Sequence, residues 1–132
     1  MRGNPYQQYK NTQIQTASQE RLLIMLYEGA IKFTNQGKLA FEEEKYDNAN
    51  ELIKRAQDIV NELMISLDFN SGEVAGNLFA LYEYIYHQLV QANIKKDTSI
   101  LDEVTGLLTS LKETWVQALT STKMQSKGEM GV

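Results

Sequence analysis

The chain has no cysteine, one proline, one histidine and one tryptophan. Without cysteine there is no disulfide, no zinc–thiolate site and no thiol nucleophile. Zero cysteine is neutral about compartment, but it removes any reason to invoke an oxidising one. No stretch reaches the roughly 18 continuous apolar residues of a membrane span, so direct membrane insertion is not expected. The N-terminus has Asn, Gln and Tyr where a signal peptide carries an apolar run, and the expectation is a cytoplasmic chain. Excess positive charge is also missing. Lys and Arg number 13 against 17 Asp and Glu, a net charge of −4, and no basic stripe is present. A nucleic-acid binder is therefore not expected.

Chemistry is scarce as well. The one histidine, His87, follows Glu83 by four residues. Di-metal helical bundles use Glu-x-x-His pairs with further inward carboxylates, so the spacing is wrong and a second histidine is lacking. No glycine-rich phosphate loop occurs. Neither an enzyme, a metal site nor a cofactor is expected.

What is present is helical periodicity. With 42% apolar and 23% charged residues in 132, the chain has the composition of one globular domain with a real core. The first helix is read from about residue 17 to residue 44. Ser18 can cap it directly, or Thr16 with Gln19 can form a capping box. Leu22, Leu26, Phe33 and Ala40 keep helical spacing, with Gly29 and Gly37 interleaved. Two glycines on one seam, each costing a helix roughly 1 kcal/mol, point to a closely approaching neighbour. A second helix follows Asp47 as N-cap. The segment Asp68 to Gly72 reads as a turn. A third helix covers about residues 73–94, and Asp97 or Thr98 caps a fourth that ends near Thr120. Helices of this length joined by short turns predict an all-α, antiparallel up-down-up-down four-helix bundle. Residues 18–120 form the bundle in this reading, residues 121–132 a flexible tail, and residues 1–17 an extended N-terminal cap segment.

That cap segment is unusual. Between Asn4 and Ser18 only Lys10 is charged, while Tyr6, Tyr9 and Ile14 look like residues that pack on something. Pro5 and the scatter of Gln, Asn and Thr argue against a stable helix there. The third helix offers a surface to pack on. A bundle helix needs an apolar arc a little over 100° wide, and the second and fourth helices fill about 140° and 120°. The third carries a core stripe of Val74, Leu78, Leu81, Ile85 and Leu89, and a second stripe of Phe79, Tyr82, Tyr86 and Val90. Together they span about 180°. The first helix also overflows, with Ile24, Tyr27 and Ile31 as an outer stripe. Such surplus marks a partner surface, or else a helix buried by its neighbours and the N-terminal segment. The two readings are compatible if that segment is a removable lid.

Several stretches carry a family resemblance: NPYQQY, TAS before the first helix, IMLYEGAIKF, LYEYI, ANIKKD and ETW, in that order between Asn4 and Trp115. They resemble FliS, the flagellar secretion chaperones, over nearly the whole chain. The resemblance implies a helical bundle that binds the disordered C-terminal region of flagellin, prevents its premature polymerisation and delivers it to the export gate protein FlhA. It leaves room for other flagellar regulators as partners. It also implies that Tyr6, Tyr9 and Ile14 match lid positions over part of the client surface. The family usually has a proline and an acidic residue where this chain has Gln19 and Arg21, and a pair of arginines where it has Tyr86 and His87. Phe79 replaces a residue that is more often small or polar. The candidate client-binding or lid residues are thus Tyr6, Tyr9, Ile14, Ile24, Tyr27, Ile31, Leu78, Phe79, Tyr82, Tyr86 and Val90. The competing expectation is a self-associating structural bundle with a homodimer interface on the third helix.

Overall fold

In the computed structural model, the backbone is described for residues 5–130 and the side chains for residues 19–70 and 72–121. Four α-helices follow one another: α1 (Pro5–Glu42), α2 (Tyr46–Ile65), α3 (Glu73–Lys95) and α4 (Thr98–Met130). A single 3₁₀ turn, Phe69–Ser71, lies between α2 and α3. Among the described residues α1 packs on α2 and α4, and α3 packs on the same two helices, so every helix meets its neighbours in a square. With short turns this is the antiparallel up-down-up-down bundle that the periodicity predicts. None of the helices, among the described residues, is long and apolar enough to cross a membrane.

The core runs the length of this square. Ala30, Ile53, Val60, Leu63, Ile85, Leu89, Leu101, Val104 and Leu108 are fully buried. Thr34 is fully buried among them, and its hydroxyl donates to the Ala30 carbonyl at 2.7 Å. That bond removes the cost of burying an unsatisfied hydroxyl. Two ion pairs stitch α1 to α4 on the surface, Lys38–Asp102 at 2.8 Å and Lys112–Glu28 at 3.0 Å. Exposed pairs of this kind contribute only about 0–1 kcal/mol, so apolar burial holds the bundle.

The helix ends show where local chemistry decides. Asp97 accepts from the Ser99 backbone N–H at 2.9 Å and from its hydroxyl at 2.6 Å, and these bonds hold its carboxyl below the usual range. It starts α4 as expected. Asp68 accepts from the Asn70 N–H and starts the 3₁₀ turn. At α2, by contrast, Lys45 occupies the cap position without a capping side-chain bond, and Asp47 sits in the first turn. There its carboxylate still complements the helix dipole. The α1–α2 turn closes with Lys45 N–H to the Ala40 carbonyl at 2.8 Å. Glu44 in that turn and Lys96 after α3 take left-handed backbone angles, φ 61° and 53°.

The outer helix ends depart from expectation. α1 begins at Pro5, not near residue 17, so the lead-in is helical where the sequence suggests an extended cap. Proline is pre-organised for the first helical position, where its missing N–H costs nothing. After it, residues 6–17 contain no glycine or further proline to interrupt the helix. Thr16 and Ser18, read as caps, therefore lie inside the helix. Likewise α4 continues through the expected tail to Met130.

The glycine seam lies between α1 and α2. A Cβ on Gly37 would stand 2.9 Å from Ile53 Cγ1, and one on Gly29 would stand 3.1 Å from Ile59 Cδ1. The difference decides their cost. Ile53 is fully buried and is met at a branch atom, whereas half-buried Ile59 is met at its mobile terminus. We expect Gly37→Ala to lose about 1 kcal/mol net, overpacking outweighing the gain in helix propensity. Thermal denaturation should show this as a drop of roughly 4 °C. Gly29→Ala should change the midpoint little, and equal losses at both positions would refute the asymmetric seam.

Candidate functional site

The sequence-predicted residues divide into four groups. Tyr6, Tyr9 and Ile14 lie on the helical part of α1 outside the residues whose side chains are described. Tyr27 and Tyr82, expected on outer stripes, are buried, at 0% and 1% exposure. Ile24 and Ile31 are half-buried on the flank of α1 that carries Glu28 and Lys38, hence the flank facing α4. Leu78, Phe79, Tyr86 and Val90 are half-buried on α3. Leu78 packs on the core, while Phe79, Tyr86 and Val90 share the shoulder of α3 that turns toward α2. The two expected stripes therefore lie on different flanks, one of α1 toward α4 and one of α3 toward α2.

The burial of Tyr27 and Tyr82 is a correction with a clear cause. Their hydroxyls hydrogen-bond to each other across the diagonal of the bundle, and the Trp115 indole N–H donates to the Tyr27 hydroxyl at 3.0 Å. The two phenol rings lie 6.4 Å apart and tilted. A tyrosine at the edge of a helical arc can be placed in water or in the core; here mutual bonding satisfies the hydroxyls and the core wins. Burial pushes both phenols above their ordinary range. The bonds from Tyr82 and Trp115 oppose this at Tyr27, whereas the bond with Tyr27 reinforces it at Tyr82.

The α2–α3 groove has a volume of about 520 Å³ and is lined by Asn61 and Met64 from α2 and by Ala80, Glu83, Tyr84, Tyr86 and His87 from α3. Phe79 continues its apolar floor toward the α2–α3 turn, where its ring meets Phe69 edge-on at 5.7 Å. The same two helices and their link carry apolar groups left in water: Ile65 at 69% exposure, Phe69 at 58% and Ile94 at 70%. At the opposite end Asn93 donates to Asn50 and joins the two helices. Sequence reasoning missed the α2 side because the arc of that helix looked satisfied. The signals were Met64–Ile65, which overrun the arc at its end, and Phe69 in an otherwise polar turn. His87 is exposed on this groove, as a solvated histidine should be.

Tyr84, at the far edge of this groove, donates to Glu103 of α4 at 2.7 Å, and Gln88 donates to the same carboxylate at 2.8 Å, which closes the α3–α4 face. These bonds hold the Glu103 carboxyl below its ordinary range. Polar side chains thus tie α3 to α4 through Glu103 and to α2 through Asn50.

A family model described as "Flagellar protein FliS" matches residues 2–122. The chain belongs to the FliS family. Curated relatives agree with this assignment. The flagellar secretion chaperone FliS of Bacillus subtilis is 38% identical over 129 residues, covering 98% of this chain and 96% of its own. FliSB of Pseudomonas aeruginosa is 40% identical over 112 residues, covering 83% and 89%. A solved structure, "Crystal structure of flagellar chaperone from bacteria", superposes with a TM-score of 0.77 over 88% of this chain and 95% of its own, at 22% identity, and supports the fold. The FliS relatives are named as chaperones and not as enzymes.

Two measurements follow from the buried tyrosines. Tyr82→Asp should unfold the bundle, because it places a charge without a cationic partner in the core, whereas Tyr86→Asp should retain native circular dichroism and a near-native midpoint. Folded Tyr82→Asp would show that the phenol is not core. Both phenols titrate higher in the folded chain than the ordinary value of about 10. Their contribution is fully present below that value and is lost as pH rises above it, where the unfolded chain releases protons that the folded chain retains. Stability should therefore fall with pH above about 10, and less steeply in Tyr27→Phe; an equal slope would refute the shift.

Proposed function

We propose that this FliS-family chain is a cytoplasmic export chaperone that binds the C-terminal segment of flagellin. The α2–α3 groove is its principal docking surface in this reading. The observation that carries it is the half-buried α3 row Phe79, Tyr86 and Val90, in which Tyr86 lines a groove with Met64 and Phe79 meets Phe69. An amphipathic helix docks in such a trough through residues spaced three and four apart. Each large side chain that it buries gains roughly 1.5–3 kcal/mol over leaving it in water. Covering the apolar face of a client monomer removes the surface through which it would self-associate. The ordering cost of a disordered client offsets part of this gain and leaves the complex releasable.

The remaining residues take secondary roles. Ile24 and Ile31, on the α4-facing flank of α1, extend the contact to a second groove, and Leu78 supports the α3 shoulder from beneath. Tyr6, Tyr9 and Ile14 act as the lid that competes with the client. Such competition weakens apparent affinity by the fraction of chain in the open state. Tyr27 and Tyr82 act indirectly in this scheme, through the shape of the bundle. The loaded chaperone passes its client to the export gate protein FlhA.

The test is calorimetric titration with a peptide covering the C-terminal segment of the cognate flagellin. Phe79→Asp and Tyr86→Asp should each weaken binding at least tenfold, about 1.4 kcal/mol, with little change in melting temperature. Full affinity in both variants would remove the α2–α3 groove from the proposal. A dimer that persists on saturation with the peptide would favour self-association through α3.

A further inference from the structure

The unexpected helical extensions at the two chain ends share one explanation. α1 is helical from Pro5 and α4 is helical to Met130, whereas α2 and α3 are much shorter. Gly29 of α1 meets Ile59, so α2 ends six residues later near the level of residue 23. Glu103 of α4 accepts from both Tyr84 and Gln88, so α3 begins near the level of residue 116. Past these levels α1 runs on for about 27 Å and α4 for about 21 Å, at about 1.5 Å per residue. Helix rich in Gln, Asn, Ser and Thr gains little from propensity, and most helical stability in proteins comes from packing. At these levels α2 and α3 supply no packing surface.

The α1–α4 pair fixes which residues stand level. Lys38 pairs with Asp102 and Glu28 with Lys112, so ten residues back along α1 is ten residues forward along α4. The same register sets Glu42, the last residue of α1, level with Thr98, the first of α4. The next step outward sets residue 20 level with residue 120, and the one after sets residue 10 level with residue 130. Facing positions follow at heptad spacing: Glu28, Arg21 and Ile14 on α1, and Lys112, Leu119 and Ser126 on α4. Leu119 lies about one turn past the level of the first residue of α3 and is still half-buried. The charges agree with this register. Between residues 5 and 20 the charged residues are Lys10 and Glu20. Lys10 falls level with Met130, next to Glu129, and Glu20 falls within one turn of Lys123, so each stands near the opposite sign. Lys127 is level with neutral Gln13.

We infer that the two chain ends pair as an antiparallel two-helix stem, in which residues 117–130 of α4 are the seat of the N-terminal segment. In the stem Ile14 stands level with Ser126, about 15 Å past the start of α3. The α2–α3 groove lies on the near side of that start, so a segment seated in the stem cannot cover the groove at the same time. The consequence rests on the lid role proposed above: the end of α4 competes with the groove for the same segment and keeps the chaperone open.

The chain has no cysteine, so engineered pairs are its only thiols. Ile14→Cys with Ser126→Cys is in register. In oxidised glutathione it should close an intramolecular disulfide at least tenfold faster than Arg21→Cys with Ser126→Cys, which is out of register by about 10 Å. Equal rates at both pairs, or no intramolecular closure at the first, would overturn the stem. Met124→Pro, in the full chain, breaks α4 within the stem. The amides of residues 10–17 should then exchange with solvent at least tenfold faster, while those of the core helices are unchanged. Unchanged exchange at residues 10–17 would likewise overturn the stem. In the same variant the freed segment should lower flagellin-peptide affinity roughly threefold, and adding Tyr6→Ala with Tyr9→Ala should restore it. Unchanged affinity in Met124→Pro would overturn the competition for the segment. A wild-type chain that fails to bind the peptide would remove the flagellin reading instead, and disulfide closure and exchange would still decide the stem.

Discussion

Three helices of the bundle are tied by one buried polar cluster. In a square bundle the diagonal helices do not touch through their backbones, and α1 and α3 stand on such a diagonal. The Tyr27–Tyr82 bond crosses it, and Trp115 brings in α4. Buried polar groups that are left unpaired cost about 1–3 kcal/mol each, so this cluster favours the one arrangement in which the hydroxyls meet. It sets the separation of α1 and α3 near the α2–α3 turn, and the half-buried shoulder of α3 rests on that separation.

Much of this was legible in the sequence, and the exceptions share a physical form. The four-helix pattern, the Asp97 cap and the glycine seam followed from spacing and from residues with one preferred role. Asp97 bonds backbone two residues on, and Gly37 admits Ile53 where no Cβ fits. The misplacements fell on residues with two roles. Pro5 breaks a helix in its interior but starts one at its first position. Asp47 works as a cap or as a first-turn charge. Tyrosine at the edge of an arc suits water or core, and only the partner on another helix decides. Such partners lie far apart in sequence: Tyr27 and Tyr82 are 55 residues apart, and Trp115 is 88 from Tyr27. No periodicity within one helix contains that information.

The candidate surface was legible in kind but not in composition. The surplus on α3 exists, but its open members are Phe79, Tyr86 and Val90, joined by Met64, Ile65 and Phe69 from the other wall. An angular count treats each helix alone, whereas a groove belongs to two. The polar ties of α3, to α4 through Glu103 and to α2 through Asn50, likewise require both partners to be seen.

The two ends of the α2–α3 groove are built differently. At one end short turns with left-handed Glu44 and Lys96 reverse the chain, and the Asn93–Asn50 bond clasps α2 to α3. At the other end a longer link of residues 66–72 runs through the 3₁₀ turn to Gly72, at φ 92°, with no atom within 4 Å of where its Cβ would be. The link's one left-handed position is a glycine, so any L side chain there would strain the backbone although open space surrounds it.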